Sequence, residues 1–265
     1  MKKARLDALL VERGLADDLD LARAIIMSGK VFAKGERVDK AGTEIGTDVD
    51  IEIRGKQDYV SRGGQKLKKA LEHFEISPQG KVCIDCGAST GGFTDCLLQN
   101  GARLVYAIDV GYGQLAWSIR SDPRVVPMER TNIRYVTPEM LDSKPQLAVI
   151  DVSFISLGLV LPVVRELLAR RGDAICLIKP QFETGRENVG SKGVVTEAKT
   201  HIEVLETFVE SAVSLGYAVG GLTFSPIKGA QGNMEYLGWL GFDSLSHAVE
   251  PSRAVNEAHE YFSRN

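Results

Sequence analysis

The sequence predicts an α/β protein in which a mostly parallel sheet carries helices on both faces, preceded by a small α+β unit. Three observations predict it. From Lys81 onward, short apolar runs alternate with segments of helical periodicity, the pattern of strand–helix–strand crossovers. A glycine-rich stretch, Asp85-Cys-Gly-Ala-Ser-Thr-Gly-Gly-Phe-Thr94, follows the first of those runs. The first 53 residues keep a periodicity of their own, and a basic joint separates them from the rest. With 265 residues, 44% of them hydrophobic and 25% charged, the chain is long enough to bury a sizeable core, which excludes disorder, collagen and a disulfide miniprotein.

In the small unit, Arg5 to Arg13 and Leu19 to Met27 place apolar residues at three and four spacing, so two short helices are expected, broken by Gly14 and stopped near Gly29. Val49 to Ile53 alternates as a half-buried strand, and Lys30 to Lys34 can pair with it. The unit holds no cysteine or histidine, so binding is its expected trade. Between Arg54 and Lys69 there are six basic residues and one acid, Asp58. Such a run fits either a solvated helix face or a contact for polyanions.

In the large unit, strands are expected at Val82 to Asp85, Leu104 to Asp109, Arg124 to Met128, Leu147 to Asp151 and Ala174 to Lys179. Helices are expected at Gly92 to Gln99, Ser156 to Ala169 and Glu197 to Leu215. Pro162 marks either a kink or a late start of the second helix. Ala218 to Phe224 and Glu235 to Gly241 read as an antiparallel pair at the sheet edge.

Net charge is −3, so no global positive field draws the protein to nucleic acid or anionic membrane. The longest charge-free stretches, Ser211 to Ile227 and Val152 to Val164, fall short of the roughly 20 apolar residues of a spanning helix. The N-terminus lacks the apolar core of a secretory signal, and four cysteines fit a reducing compartment. A cytoplasmic protein is expected. Cys83 and Cys86 have zinc-like spacing, but no second pair follows, and His73, His201, His247 and His259 stand at no finger-like offset. No metal site is expected.

The glycine stretch carries the chemistry. Gly87 to Thr94 spells a phosphate loop with Phe93 in place of the required lysine, and the glycines do not fall at dinucleotide-binding offsets. An acid before the first glycine suits a ligand with a cationic amino group. Asp109, 24 residues after Asp85 at the end of the second strand, can accept hydrogen bonds from ribose hydroxyls. Together these point to S-adenosyl-L-methionine, with Asp85, Gly87, Ala88, Ser89, Gly91, Gly92, Phe93 and Asp109 as candidate binding residues and Thr131 and Asn132 lining the adenine pocket.

Exocyclic-amine chemistry loses ground because Asp151-Val-Ser-Phe154 lacks a cluster for holding a flat base. Methylation at pyrimidine carbon loses ground because Cys83 and Cys176 fall inside strands. Asp151 and Lys179 at strand ends, with Lys66 before the sheet and Glu235 near the last strands, suit a hydroxyl acceptor. A ribose 2′-hydroxyl needs a base, and a lysine serves only once its pKa falls from about 10.4. The same residues also fit a snorkelling strand-end lysine and a helix-capping aspartate.

With these residues in view, the chain resembles the TlyA, or hemolysin A-like, family. The likeness rests on Arg5-Leu-Asp, Ala22-Arg23 and Ser28-Gly-Lys30-Val in the small unit, and Tyr59-Val-Ser-Arg-Gly-Gly-Gln-Lys66-Leu at the joint. It continues through Asp85 to Thr94, Asp109-Val-Gly-Tyr-Gly-Gln-Leu, Asp151-Val-Ser-Phe-Ile-Ser, Lys179-Pro-Gln-Phe-Glu183 and Gly232-Asn-Met-Glu235. The resemblance implies an RNA-binding domain of the ribosomal-protein S-four type (residues 1–60) and an FtsJ-like domain (residues 61–265) with a Rossmann-like class I methyltransferase sheet. It also implies S-adenosylmethionine-dependent methylation of a cytidine 2′-oxygen in ribosomal RNA, with Lys66, Asp151, Lys179 and Glu235 as the catalytic tetrad. Ribosomal RNA or ribosomal subunits are the expected partners, met by Arg5, Arg23, Lys30, Arg54 and Arg62; neither membrane nor protein partner is implied. Gly185 to Gly193 reads as a mobile loop able to close over RNA. The rivals are a membrane-active hemolysin, for which no span, signal or basic amphipathic helix is found, and a non-catalytic RNA- or cofactor-binding module.

Overall fold

Leu6, Leu9 and Leu10 recur at helical spacing, and in the computed structural model all three are buried against Ala22, Ile26 and Val31. Residues 3–16, 18–54, 58–242 and 249–264 are described, in two compact units, 1–58 and 59–265. In the first, β1 (Lys3–Arg5) leads into α1 (Leu6–Glu12) and α2 (Leu19–Met27), followed by β2 (Val31–Ala33), β3 (Glu36–Arg37), β4 (Glu44–Gly46) and β5 (Ile51–Ile53). Asp18 caps α2 by accepting the Leu21 N–H at 2.7 Å, as an N-cap aspartate does. β2 pairs antiparallel with both β3 and β5, and β1 pairs with β4. The expected strand from Val49 is shorter because the Val49 N–H closes a turn onto Gly46 O; it begins at Ile51. The strands β1, β3 and β4, two or three residues each, leave too short an alternation to read.

The second unit opens with α3 (Gly63–His73) and then alternates: β6 (Val82–Cys86), α4 (Gly92–Gln99), β7 (Leu104–Ile108), α5 (Trp117–Arg120), β8 (Val125–Met128) and β9 (Leu147–Ile150). There follow α6 (Leu161–Leu167), β10 (Asp173–Ile178), α7 (Pro180–Glu183), α8 (Ala198–Ser214), β11 (Ala218–Phe224), β12 (Tyr236–Gly241) and α9 (Pro251–Arg264). Pro162 lies in the first turn of α6, where its missing N–H costs nothing, so the helix starts late. A 3-10 turn, Leu157–Leu159, precedes it.

The sheet order is β11-β12-β10-β9-β6-β7-β8. From β10 to β8 the pairings are parallel, and β12 and β11 are antiparallel additions at one edge. Alternate residues of each strand face opposite layers, as the pleat requires. Ile84, Ile108, Ile150 and Ile178 pack with α6, α8 and α9. Cys83, Val105, Val149 and Leu177 pack with α3 and α4. The chain runs outward from β6 through β7 to β8, then returns to β9 on the other side of β6. That reversal opens a crevice at the carboxyl ends of β6 and β9, where open α/β sheets hold ligands.

Candidate active site

The crevice is built by the turn after β6. Gly87 has φ +91° and Gly91 φ +98°, left-handed values that glycine adopts without steric cost. A Cβ on Gly87 would stand 2.5 Å from the Asp151 carbonyl oxygen, so only glycine lets β6 and β9 leave the sheet this close. Gly91 caps α4, the expected Gly92–Gln99 helix.

Asp109, just past β7, holds the turn in place. Its Oδ2 accepts the Ser89 N–H at 2.8 Å and its Oδ1 the Gly111 N–H at 2.7 Å. Its carbonyl accepts the Thr131 N–H at 2.9 Å. A cavity of about 510 Å³ lies here, lined among others by Gly87, Ser89, Asp109, Thr131, Asn132 and Phe154. A second of about 320 Å³ shares Gly87, Ser89 and Asp151 and adds Arg62, Lys66, Ala88, Gly92 and Phe93. Both fall within the range of small-molecule sites.

Two predicted binding residues lie off these walls. Gly91 backs onto Leu115 and Ile119 and shapes the turn. Asp85 is fully buried beneath the loop, where Oδ2 accepts the Thr94 hydroxyl at 2.6 Å and Oδ1 has no hydrogen-bond partner among the described residues. Burial pushes its carboxyl up to about 7, since a buried site disfavours the charged form.

The four tetrad residues converge as two ion pairs. Lys66, in the first turns of α3, places Nζ 2.5 Å from Glu235 Oε2. Lys179, which ends β10, places Nζ 2.6 Å from Asp151 Oδ1 and 2.8 Å from Ser153 Oγ. Because β12 runs antiparallel to β10 with Tyr236 opposite Ile178, Glu235 enters the sheet beside Lys179. Both lysine side chains are nearly covered, 12% and 9% exposed, so these pairs are little screened by solvent. Burial holds the Glu235 carboxyl above its ordinary range, partly opposed by Lys66.

The residues expected to meet RNA differ in their surroundings. Arg5 forks onto Asp7 at 3.0 and 2.7 Å, and Arg23 reaches the same carboxylate at 3.4 Å. Asp7 is 1% exposed, and its hydrogen bonds from Arg5 pull its carboxyl down to about 2. These arginines therefore hold the small unit together while their side chains stay about half exposed. Arg54 lies over the Phe32 ring at 4.0 Å and bonds Glu52. The Lys30 backbone carbonyl accepts the Arg54 N–H, and Arg62 is exposed on the smaller cavity.

Three features escaped the sequence. Phe154 is 89% exposed with φ +63°, an expensive backbone state for a bulky residue. Its ring meets Phe182 with centroids 5.1 Å apart. Asn233, buried, accepts the Val195 N–H through Oδ1 and donates to Gly193 O through Nδ2, so it ties the end of the 185–193 loop to the strand entry carrying Glu235. His201 is fully buried, within 2.8 Å of Tyr236 Oη and 3.1 Å of Val195 O, and burial lowers its pKa to about 4. Asn233 stood in the motif preceding Glu235 and Phe154 in the motif after Asp151, whereas His201 carried no local signal.

Fold and crevice define an α/β domain whose nucleotide-type loop opens onto a lysine–carboxylate cluster. Residues 59–242 match the FtsJ-like methyltransferase family. Bacillus subtilis YqxC, named as an rRNA methyltransferase, is 51% identical, covering 98% of this chain and 95% of the relative. The 16S/23S rRNA (cytidine-2′-O)-methyltransferase TlyA of Mycobacterium tuberculosis is 45% identical over 90% of each chain. A Streptococcus thermophilus structure with a hemolysin name superposes with TM-score 0.76 at 45% identity, covering 100% of this chain and 98% of that one. The chain belongs to the FtsJ-like methyltransferase family, in its TlyA branch.

Proposed function

We propose that this protein transfers a methyl group from S-adenosylmethionine to the 2′-hydroxyl of a cytidine in ribosomal RNA. The observation that carries it is the pair of ion pairs, Lys66 with Glu235 and Lys179 with Asp151, on the crevice that the glycine turn opens. The residues fit the cofactor: Asp109 sits at the rim of the larger cavity, where its carboxylate can meet ribose hydroxyls. When bound, S-adenosylmethionine supplies an electrophilic methyl whose bonding pair stays with sulfur as a neutral thioether.

The chain's own residues do the rest. Asp109 and the Gly87–Gly91 turn hold the adenosine end. Lys66, fixed by Glu235, orients the acceptor ribose. Lys179, fixed by Asp151, first gives up its ammonium proton to solvent and then takes the hydroxyl proton as the new C–O bond forms, the work of a positioned general base. The exposed face of Phe154 offers the acceptor base a surface to stack on, and the 185–193 loop, tied at Asn233, can close over the RNA. The first unit recruits RNA as an S-four-type domain.

Labelled S-adenosylmethionine, ribosomal RNA or isolated subunits, and the purified protein test this. Digestion to nucleosides should release labelled 2′-O-methylcytidine; label in base-methylated nucleosides only, or none, overturns it. The hemolytic alternative gains nothing from the fold: among the described residues no helix is long and apolar enough to cross a membrane.

A further inference from the structure

The two lysines of the site are not equivalent, and the difference lies in a serine outside the tetrad. Lys66 Nζ has Glu235 as its hydrogen-bond partner. Lys179 Nζ has two, Asp151 Oδ1 at 2.6 Å and Ser153 Oγ at 2.8 Å. Asp151 and Ser153 both leave the carboxyl end of β9, so one strand supplies both partners. The Phe182 ring, centred 5.9 Å from Nζ, covers another side.

A protonated lysine has three N–H donors. The neutral amine that can act as a base keeps two, and its lone pair fills the third tetrahedral direction. Two acceptors fixed on Nζ therefore saturate both donors of the neutral amine and aim its lone pair along the one direction left. With a single partner among the described residues, as at Lys66, the lone pair can occupy either of two directions and is not aimed. We infer that Ser153 is a positioning residue that fixes the direction of the Lys179 lone pair and thereby selects Lys179, not Lys66, as the base.

This inference rests on the proposed methyl transfer. In that step Nζ, having released its ammonium proton to solvent, takes the 2′-hydroxyl proton, the oxygen pair forms the bond to the methyl carbon, and the carbon–sulfur pair stays on sulfur. Ser153 borders the larger cavity, and its part in the proton transfer runs through its bond to Lys179. Its loss should slow the chemical step while cofactor and RNA affinities hold, since the interaction matters where the proton moves.

Ser153→Ala and Ser153→Thr test it, the second keeping a hydroxyl. Single-turnover methyl transfer to ribosomal RNA, at saturating protein and cofactor, should fall roughly tenfold in Ser153→Ala, part of the hundredfold or more that a general base provides, and return toward wild type in Ser153→Thr. Calorimetry should give unchanged S-adenosylmethionine affinity for all three proteins. A second readout needs no activity: in proton–nitrogen spectra of the lysine ammonium groups, the Lys179 resonance, assigned by its absence from Lys179→Arg, should be protected from exchange in wild type and Ser153→Thr and broadened away in Ser153→Ala. A wild-type rate in Ser153→Ala overturns the inference, and so does an unchanged ammonium resonance. If the wild-type protein methylates no RNA, the proposed function fails instead, and the ammonium spectra still decide whether Ser153 holds Lys179.

Discussion

Gly87→Ala is the sharpest test of the crevice, because a remote glycine supplies its control. Gly87 has φ +91° and Gly80 φ +71°, so alanine at either position occupies a left-handed backbone state, costing about 1–2 kcal/mol. They differ in what the new methyl meets. At Gly80 nothing among the described residues lies within 4 Å, whereas at Gly87 it would approach the Asp151 carbonyl oxygen to 2.5 Å and the carbonyl carbon to 2.9 Å. That backbone cannot retreat freely, since the Asp151 N–H is bonded to Cys86 O at 2.9 Å. Overpacking adds about 1–3 kcal/mol, so Gly87→Ala should lose about 2–5 kcal/mol in total. At about 2–4 °C per kcal/mol for a unit of this size, Gly80→Ala should melt about 2–8 °C below wild type and Gly87→Ala about 4–20 °C below. The displaced Asp151 backbone should also disturb the partner of Lys179, so Gly87→Ala should weaken cofactor binding and methyl transfer while Gly80→Ala spares both. Thermal unfolding and calorimetry read the two effects. If Gly87→Ala melts no lower than Gly80→Ala and binds S-adenosylmethionine normally, the proposed packing of turn against strand end is refuted.

Other outcomes follow from the same geometry. Lys179→Arg should bind S-adenosylmethionine yet lose on the order of a hundredfold or more in single-turnover methyl transfer, because a guanidinium stays protonated; transfer at the wild-type rate would remove Lys179 as base. Asp109→Ala removes the carboxylate that accepts two backbone N–H groups and should weaken cofactor binding by about 1.5–3 kcal/mol, the worth of a hydrogen bond to a charged group, as calorimetry would show. Arg62→Ala should weaken RNA binding and flatten its salt dependence in filter-binding titrations, whereas Arg5→Ala should first destabilise the small unit by leaving buried Asp7 without its fork. Asp85, with its carboxyl pushed up to about 7 by burial, stays protonated in the fold while the unfolded chain releases its proton near pH 4. Its contribution is therefore whole below about pH 4 and lost as pH rises through 7, and denaturant titrations of Asp85→Asn should show that loss removed.

Legibility in the sequence followed the range of each interaction. Gly92 to Gln99 and Ala218 to Phe224 read with their observed bounds because α4 and β11 are set by local periodicity and flanking glycines. The C-terminal helix α9 went unread although its buried side, Ala254, Val255 and Ala258, stands against a strongly polar opposite face. Asp85 reads as the acid before the first glycine that meets a cationic ligand, although the alternation that buries Cys83 toward α4 also carries Asp85 to that side, under Thr94. Nothing local marks Phe154 for a left-handed backbone; the surrounding structure imposes it.

The tetrad shows the limit most clearly. Its members could be named one by one, but Lys66 and Glu235 stand 169 residues apart, and only the sheet order decides which acid serves which lysine. Register puts Glu235 beside Lys179, yet Glu235 bonds Lys66 and leaves Lys179 to Asp151 and Ser153. Each ammonium thus meets its own carboxylate, so the crevice gathers two cations without net charge, and neither lysine lies buried unpaired. Under the proposed methyl transfer, the acceptor meets two ion pairs already formed, and preorganisation of that kind serves the transition state more than the ground state.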